Sequence, residues 1–204
     1  MLLEVHPTHP QKRLIERIVS VLEKDGVIVY PTDTCYAMGC SIFSKKAVER
    51  IYKIKRYPLN KALSIVCTNI SDISNYAKIS DMAYRNMKRL LPGPYTFILS
   101  ATKEVPKTIS EGKRREVGIR IPDNVICQAI VEALGHPLLS AGAGHEDELD
   151  TATIPYLIED EIGKQVDIVI DGGVLANEFS TVVSLVDDEV TIIRQGKGKV
   201  DFLG

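Results

Sequence analysis

The sequence predicts an α/β domain built on a mixed, twisted sheet, and three observations carry the prediction. Short apolar runs bounded by turn residues outnumber the amphipathic stretches, and only some alternate with them. The 204 residues are 45% hydrophobic, enough to bury a full core as one domain. No repeat, low-complexity tract or Pro/Gly-rich linker interrupts the chain. The span 11–198 is read as that domain, with 1–10 and 199–204 as short terminal extensions.

Leu14, Ile15, Ile18, Val19 and Leu22 recur at helical spacing within 11–24, and Gly26 is the expected stop. Residues 27–30 read as a short buried strand. Ala47, Val48, Ile51 and Tyr52 mark a second helix that Pro58 closes. "LSIVC" at 63–67 is another strand, and "DMAYRNMKRLLPG" is a helix ended by Pro92 and Gly93. Strands are expected at 96–101, 117–122, 137–141, 166–171, 180–186 and 190–196, with Asp187 and Asp188 turning the last hairpin. Val125, Ile126, Ala129, Ile130 and Ala133 form one stripe of a helix over 124–134, capped by Asp123 or Asn124. A weaker helix fits 154–162, and 142–153, the least hydrophobic segment, reads as a mobile loop.

The totals exclude several classes. A net charge of −2 gives no global basic signal for nucleic acid. The basic runs at 45–56 and 103–115 could still meet phosphates, although a solvated face is the commoner role of such runs. No apolar run approaches the roughly 18 residues a membrane helix needs. The N-terminus carries acids and a His-Pro pair where a signal peptide needs an apolar core, so a cytoplasmic protein with no membrane partner is expected. The cysteines at 35, 40, 67 and 127 lie singly without CxxC spacing and read as buried free thiols. The histidines show no metal-ligand spacing, and the motifs GxxxxGK[ST], GxGxxG, HExxH and GxSxG are missing. A nucleotide site has to be built without the common phosphate loop.

Polar residues at strand ends are the functional candidates, because ligands of open α/β sheets gather there. The stretch "PTDTCY" follows the first core strand with Asp33 as its one charge. Lys55 continues the inward stripe of its helix, where a lysine either snorkels to water or meets an anion. Arg120 and Arg194 each sit among apolar neighbours in a strand. Simple alternation toward water is their commoner role, but three such cations could jointly neutralise a triphosphate. The hydroxyls of Thr32, Thr34 and Ser180 can equally make turns and caps.

The strings "YPTDTCYAMGC", "AVERIYKIKRYP", "LPGPYTFIL", "VGIRIPDN", "PLLSA" and "STVVSLVDDEVTIIRQGKG" occur in an order that resembles the YrdC/YciO family, closest to its YciO branch. The resemblance implies a twisted open α/β sheet with flanking helices and a positively charged concave face. Members of that family make L-threonylcarbamoyl-adenylate from L-threonine, bicarbonate and ATP, releasing pyrophosphate, for threonylcarbamoyladenosine modification of tRNA. Other domains of the type bind double-stranded RNA or tRNA.

Carried onto this chain, the resemblance places Lys55, Ser140 and Arg194 at the nucleotide. It places Thr32, Tyr36, Thr96, Arg120 and Ser180 at the threonine and carbamate. ATP with Mg²⁺ enters as the substrate complex, and neither a catalytic nucleophile nor a protein-bound metal is implied. Where synthases carry K-x-R, this chain reads Lys55-Arg56-Tyr57, and their "SAN" element becomes Ser140-Ala141-Gly142. Lys61 and Ala62 stand where many relatives have Asn-Pro, and Val66 where some have histidine. The alternatives are a non-catalytic double-stranded RNA or tRNA module, and a synthase of another acyl or carbamoyl adenylate.

Overall fold

Residues 1–58, 61–109, 115–144 and 153–201 are described by the structure, a computed structural model. The first half of the chain runs β1 (Leu2–Glu4), α1 (Lys12–Leu22), β2 (Ile28–Tyr30), β3 (Ala37–Ser41), α2 (Lys45–Lys55), β4 (Ser64–Val66), α3 (Ile70–Tyr76) and α4 (Asp81–Leu90). The second half adds β5 (Tyr95–Ser100), β6 (Glu116–Arg120), α5 (Val125–Leu134), β7 (Leu138–Gly142), α6 (Pro155–Ile162), β8 (Ile168–Asp171), β9 (Thr181–Ser184) and β10 (Thr191–Arg194). The described strands form one sheet in the order β1-β8-β2-β3-β7-β4-β6-β5-β9-β10. Parallel pairs (β1/β8, β2/β8, β4/β6, β5/β9) are combined with antiparallel ones, so the sheet is mixed as the sequence predicts.

The period of two along each strand sends neighbouring side chains to opposite faces. On one face Met38, Cys40, Ile65, Phe97, Leu99, Val117, Ile119, Leu139 and Val183 build the larger core, against apolar stripes of α2, α3, α4 and α6. On the other, Ile28, Tyr30, Ala37, Val66, Leu138, Ile168 and Ile170 pack under α1 and α5. The two layers are unequal. The strands β4 to β6 and β9 turn a second set of residues, Ser64, Thr96, Ile98, Gly118, Arg120 and Val182, onto the face of α1 and α5, and there the lining of a cavity replaces a helix.

Several boundaries differ from expectation for local reasons. The turn after α1 is made by Asp25 in the left-handed region (φ 60°), ahead of the expected stop at Gly26. Arg56 takes the same conformation (φ 52°) and ends α2 before Pro58 is reached. Asn124, not Asp123, caps α5, its side chain accepting from the Cys127 N–H. Asp187 and Asp188 turn the β9–β10 hairpin with positive φ, as expected. The strands β1 and β3 and the helix α3 have no counterpart in the reading of the sequence. β1 lies outside the span 11–198 and yet forms an edge of the sheet by pairing with β8. Most of the expected mobile loop, 145–152, lies outside the described residues. No described helix is long and apolar enough to cross a membrane.

Candidate functional site

The cavity has a volume of about 570 Å³ and is floored by one rung of the sheet. Across that rung Ser140 pairs with Ser64, Ser64 with Gly118, and Gly118 with Ile98. Gly118 keeps the floor low, because a Cβ there would stand 2.8 Å from Ser64 Oγ and 3.2 Å from Thr96 Cγ2. Cations ring the floor: Arg120 at the end of β6, Arg194 at the end of β10, and Lys61 before β4. Among the described residues of the lining, Glu116 is the one carboxylate.

Arg120 is held by the turn that follows β2. Its Nη2 donates to Asp33 Oδ1 and to Thr34 Oγ1, each at 3.1 Å, with both ion-pair side chains under a tenth exposed. The second carboxylate oxygen of Asp33 accepts from the Asp123 N–H at 3.1 Å. Arg120 Nε is buried without a hydrogen-bond partner among the described residues. The hydroxyls of the turn are committed in series. Thr32 Oγ1 donates to the Cys35 carbonyl at 2.6 Å, which leaves Thr34 to donate across the 2.9 Å hydroxyl pair while accepting from Arg120. The turn is thus rich in hydroxyls and poor in charge because it seats a single buried guanidinium.

At the opposite wall Thr96 Oγ1 and Ser180 Oγ lie 2.9 Å apart. Arg194 Nε and Nη2 donate to the Ser180 carbonyl at 3.2 and 3.0 Å, and its guanidinium carbon stands 4.8 Å over the Phe179 ring. Lys55 is buried, and its ammonium donates to the Gly144 carbonyl. The Tyr57 ring lies 5.5 Å from that ammonium and 3.8 Å from the ammonium of Lys61.

The structure therefore gathers Thr96, Arg120, Ser140, Ser180 and Arg194 around one cavity. Lys55 does not line it but backs its wall through Gly144 and Tyr57. Thr32 reaches it only through Thr34. Tyr36 turns its ring into the larger core, where its Oη donates to the Gly173 carbonyl at 2.7 Å and accepts from the Gly172 N–H at 3.0 Å. Burial pushes the Tyr36 phenol above its ordinary range, so it stays protonated.

Thr34, a candidate hydroxyl of its turn, lines the cavity, as do Ser64, Lys61 and Phe179, which the sequence does not mark as binding residues. For Ser64 the signal is period two, since it alternates with the core residue Ile65. Asp33 was visible as the lone charge of its turn, but its partner Arg120 is 87 residues away. Cys35 lines the cavity as well, and burial raises its thiol above the ordinary value against the opposing pull of Arg120. Among the described residues no group of three or more His, Cys, Asp or Glu is placed to hold a metal ion.

Comparison with known proteins gives the family and the fold. The Sua5_yciO_yrdC family model, described as "Telomere recombination", matches residues 20–196. The chain belongs to the Sua5/YciO/YrdC family. It is 44% identical over 196 residues to the uncharacterized protein YciO of Escherichia coli (strain K12), covering 96% of this chain and 95% of the relative. The crystal structure of E. coli YciO superposes with a TM-score of 0.94 at 43% identity, covering 98% of each chain. A relative from Vibrio vulnificus (strain YJ016) named threonylcarbamoyl-AMP synthase is 25% identical over 161 residues, 78% of this chain and 86% of the relative. The fold is also that of P. abyssi Sua5 complexed with L-threonine, with a TM-score of 0.87 at 24% identity over 96% of this chain and 57% of Sua5.

Proposed function

We propose that this chain binds ATP and L-threonine in the cavity and, with bicarbonate, joins them as L-threonylcarbamoyl-adenylate. The observation that carries the proposal is the convergence of Arg120 and Arg194 on one cavity with the small hydroxyls of Ser64, Thr96, Ser140 and Ser180. Guanidinium groups converging on small hydroxyls are the arrangement that neutralises and hydrogen-bonds an anionic nucleotide. The threonylcarbamoyl-AMP synthase of Vibrio vulnificus among the more distant relatives supports the same reading.

No protein nucleophile is needed. The threonine amine adds to the carbon of bicarbonate and water leaves, giving a carbamate. A carbamate oxygen then attacks the α-phosphorus, the α–β P–O bond breaks, and pyrophosphate departs. The protein's part is to hold the partners in line and to offset developing charge with Arg120 and Arg194, with Lys55 acting from behind the wall through Gly144. Thr96 and Ser180 supply short hydroxyls for the amino acid, and Thr32 acts through Thr34. Magnesium arrives as part of the nucleotide complex, and the adenylate passes to cytoplasmic tRNA modification.

Pyrophosphate release that requires ATP, threonine and bicarbonate together is the expected result. Absence of ATP binding at millimolar nucleotide overturns the proposal, and release with another amino acid or acyl donor reassigns the substrate. A gel shift with tRNA and duplex RNA tests the binding-module alternative. In the basic run 45–56, Arg50 is already paired with Asp167 at 2.7 Å and Lys45 stands 3.8 Å from Glu49. The second run, 103–115, lies partly outside the described residues.

A further inference from the structure

Beside the cavity floor, on the same face of the sheet, lies a phenol whose hydroxyl serves one side chain. Tyr30 is wholly buried in the smaller core, and its Oη donates to Ser140 Oγ at 2.8 Å. Among the described residues neither side-chain oxygen makes another hydrogen bond. Tyr30 stands on β2 and Ser140 on β7, with β3 between them. The ring bridges that strand at Gly39, the residue paired with Ser140, where an added Cβ would lie 2.7 Å from Tyr30 Cε1 and 2.6 Å from the Leu139 carbonyl. The absence of a side chain at 39 is what lets the phenol reach Ser140.

The direction of this hydrogen bond matters. Burial pushes the Tyr30 phenol far above its ordinary value, so it carries its proton at every working pH. With one proton and one partner, it must donate. Ser140 Oγ is thereby fixed as the acceptor on its buried side, and its own proton is left for the cavity that Ser140 lines. A serine alone would rotate between donating and accepting; this one is preset to donate.

We propose that Tyr30 is a positioning residue for the nucleotide, fixing Ser140 as a hydrogen-bond donor aimed at an oxygen of the bound ligand. The inference rests on the reading that the cavity takes ATP. It assigns Tyr30 no contact with the ligand, so its influence has to pass entirely through Ser140.

A double-mutant cycle on the full chain tests it, with a non-hydrolysable ATP analogue titrated calorimetrically into wild type, Tyr30→Phe, Ser140→Ala and the double variant. Each single substitution should weaken binding about three- to tenfold, the range of one hydrogen bond. In the Ser140→Ala background the tyrosine change should cost no more than about a factor of two, because the two effects share one route. Wild-type affinity in Tyr30→Phe, or an equal loss in both backgrounds, overturns the inference and leaves the nucleotide reading intact. A wild type that fails to bind the analogue overturns that reading first. Should Tyr30→Phe not fold, the hydroxyl proton of Tyr30 in the wild type is followed by NMR. It should be protected from exchange and shift when the analogue binds, and an unmoved resonance counts against the proposal.

Discussion

Arg120 is the cation with the least freedom in the cleft, and its environment shows how one residue can organise a site. Isoleucines precede and follow it in the chain, and its guanidinium meets the carboxylate of Asp33 and the hydroxyl of Thr34. Breaking a buried ion pair from one side leaves the other charge stranded, which costs about 3–5 kcal/mol. Asp33→Ala is therefore expected to lower the unfolding free energy by about that much in urea titrations. Loss of the anchor at the Asp123 N–H adds to the effect. A change below about 1 kcal/mol contradicts the buried-pair account. Arg120→Lys keeps the charge but loses the planar fork, so it should reduce pyrophosphate release about tenfold or more while the protein stays folded. Turnover at the wild-type rate in that variant removes Arg120 from the proposed role.

Among the elements, the rung Ser140–Ser64–Gly118–Ile98 defines how much room a ligand has. Gly118→Val would set branched carbons where Ser64 Oγ and Thr96 Cγ2 already crowd. ATP-analogue affinity should fall about tenfold or more, with the far-UV circular dichroism unchanged, since the residue's neighbours Val117 and Ile119 keep their core face. Unchanged affinity would show that the ligand sits elsewhere.

The same strands explain what could be read beforehand. The helices α1, α2 and α5 carry apolar stripes, and β2, β4, β5, β6, β8, β9 and β10 carry β-branched residues, so pattern alone located them. β3 reads Ala-Met-Gly-Cys-Ser, small residues chosen for close packing against Tyr30 and β7, and these give no strand signal. α3 buries only Ile73, and β1 is three residues held by pairing with β8, so tertiary contacts rather than propensity make both. Of the cavity residues on β5 and β6, Arg120 followed from its place among apolar strand neighbours and Thr96 from the family resemblance. The partner of Asp33 and the phenol behind Ser140 did not, because a pairing between distant strands leaves no local periodicity.

For the whole molecule, the unequal helix layers leave part of one sheet face open as the cavity, while the cysteines are dispersed through everything that is closed. Cys40 and Cys67 sit in the larger core, Cys127 in the smaller, and Cys35 in the cavity wall, all buried. Desolvation raises each thiol above its ordinary value, Cys127 to about 12. In the unfolded chain thiols lose their protons near pH ~8.5. Below that pH both states are protonated and the contribution is complete and flat. Above it the unfolded state binds fewer protons than the folded one, so stability falls as pH rises, until for Cys127 the folded thiol itself ionises at about 12. One thiol supplies a slope of up to about 1.4 kcal/mol per pH unit. Unfolding free energies from urea titrations should thus hold level between pH 7 and pH 8 and drop by several kcal/mol by pH 10. Cys127→Ala should unfold more easily at neutral pH, through its small cavity, yet lose about one thiol's share of the alkaline slope. A stability profile that stays level through pH 10, or a slope untouched by Cys127→Ala, contradicts the burial of these thiols.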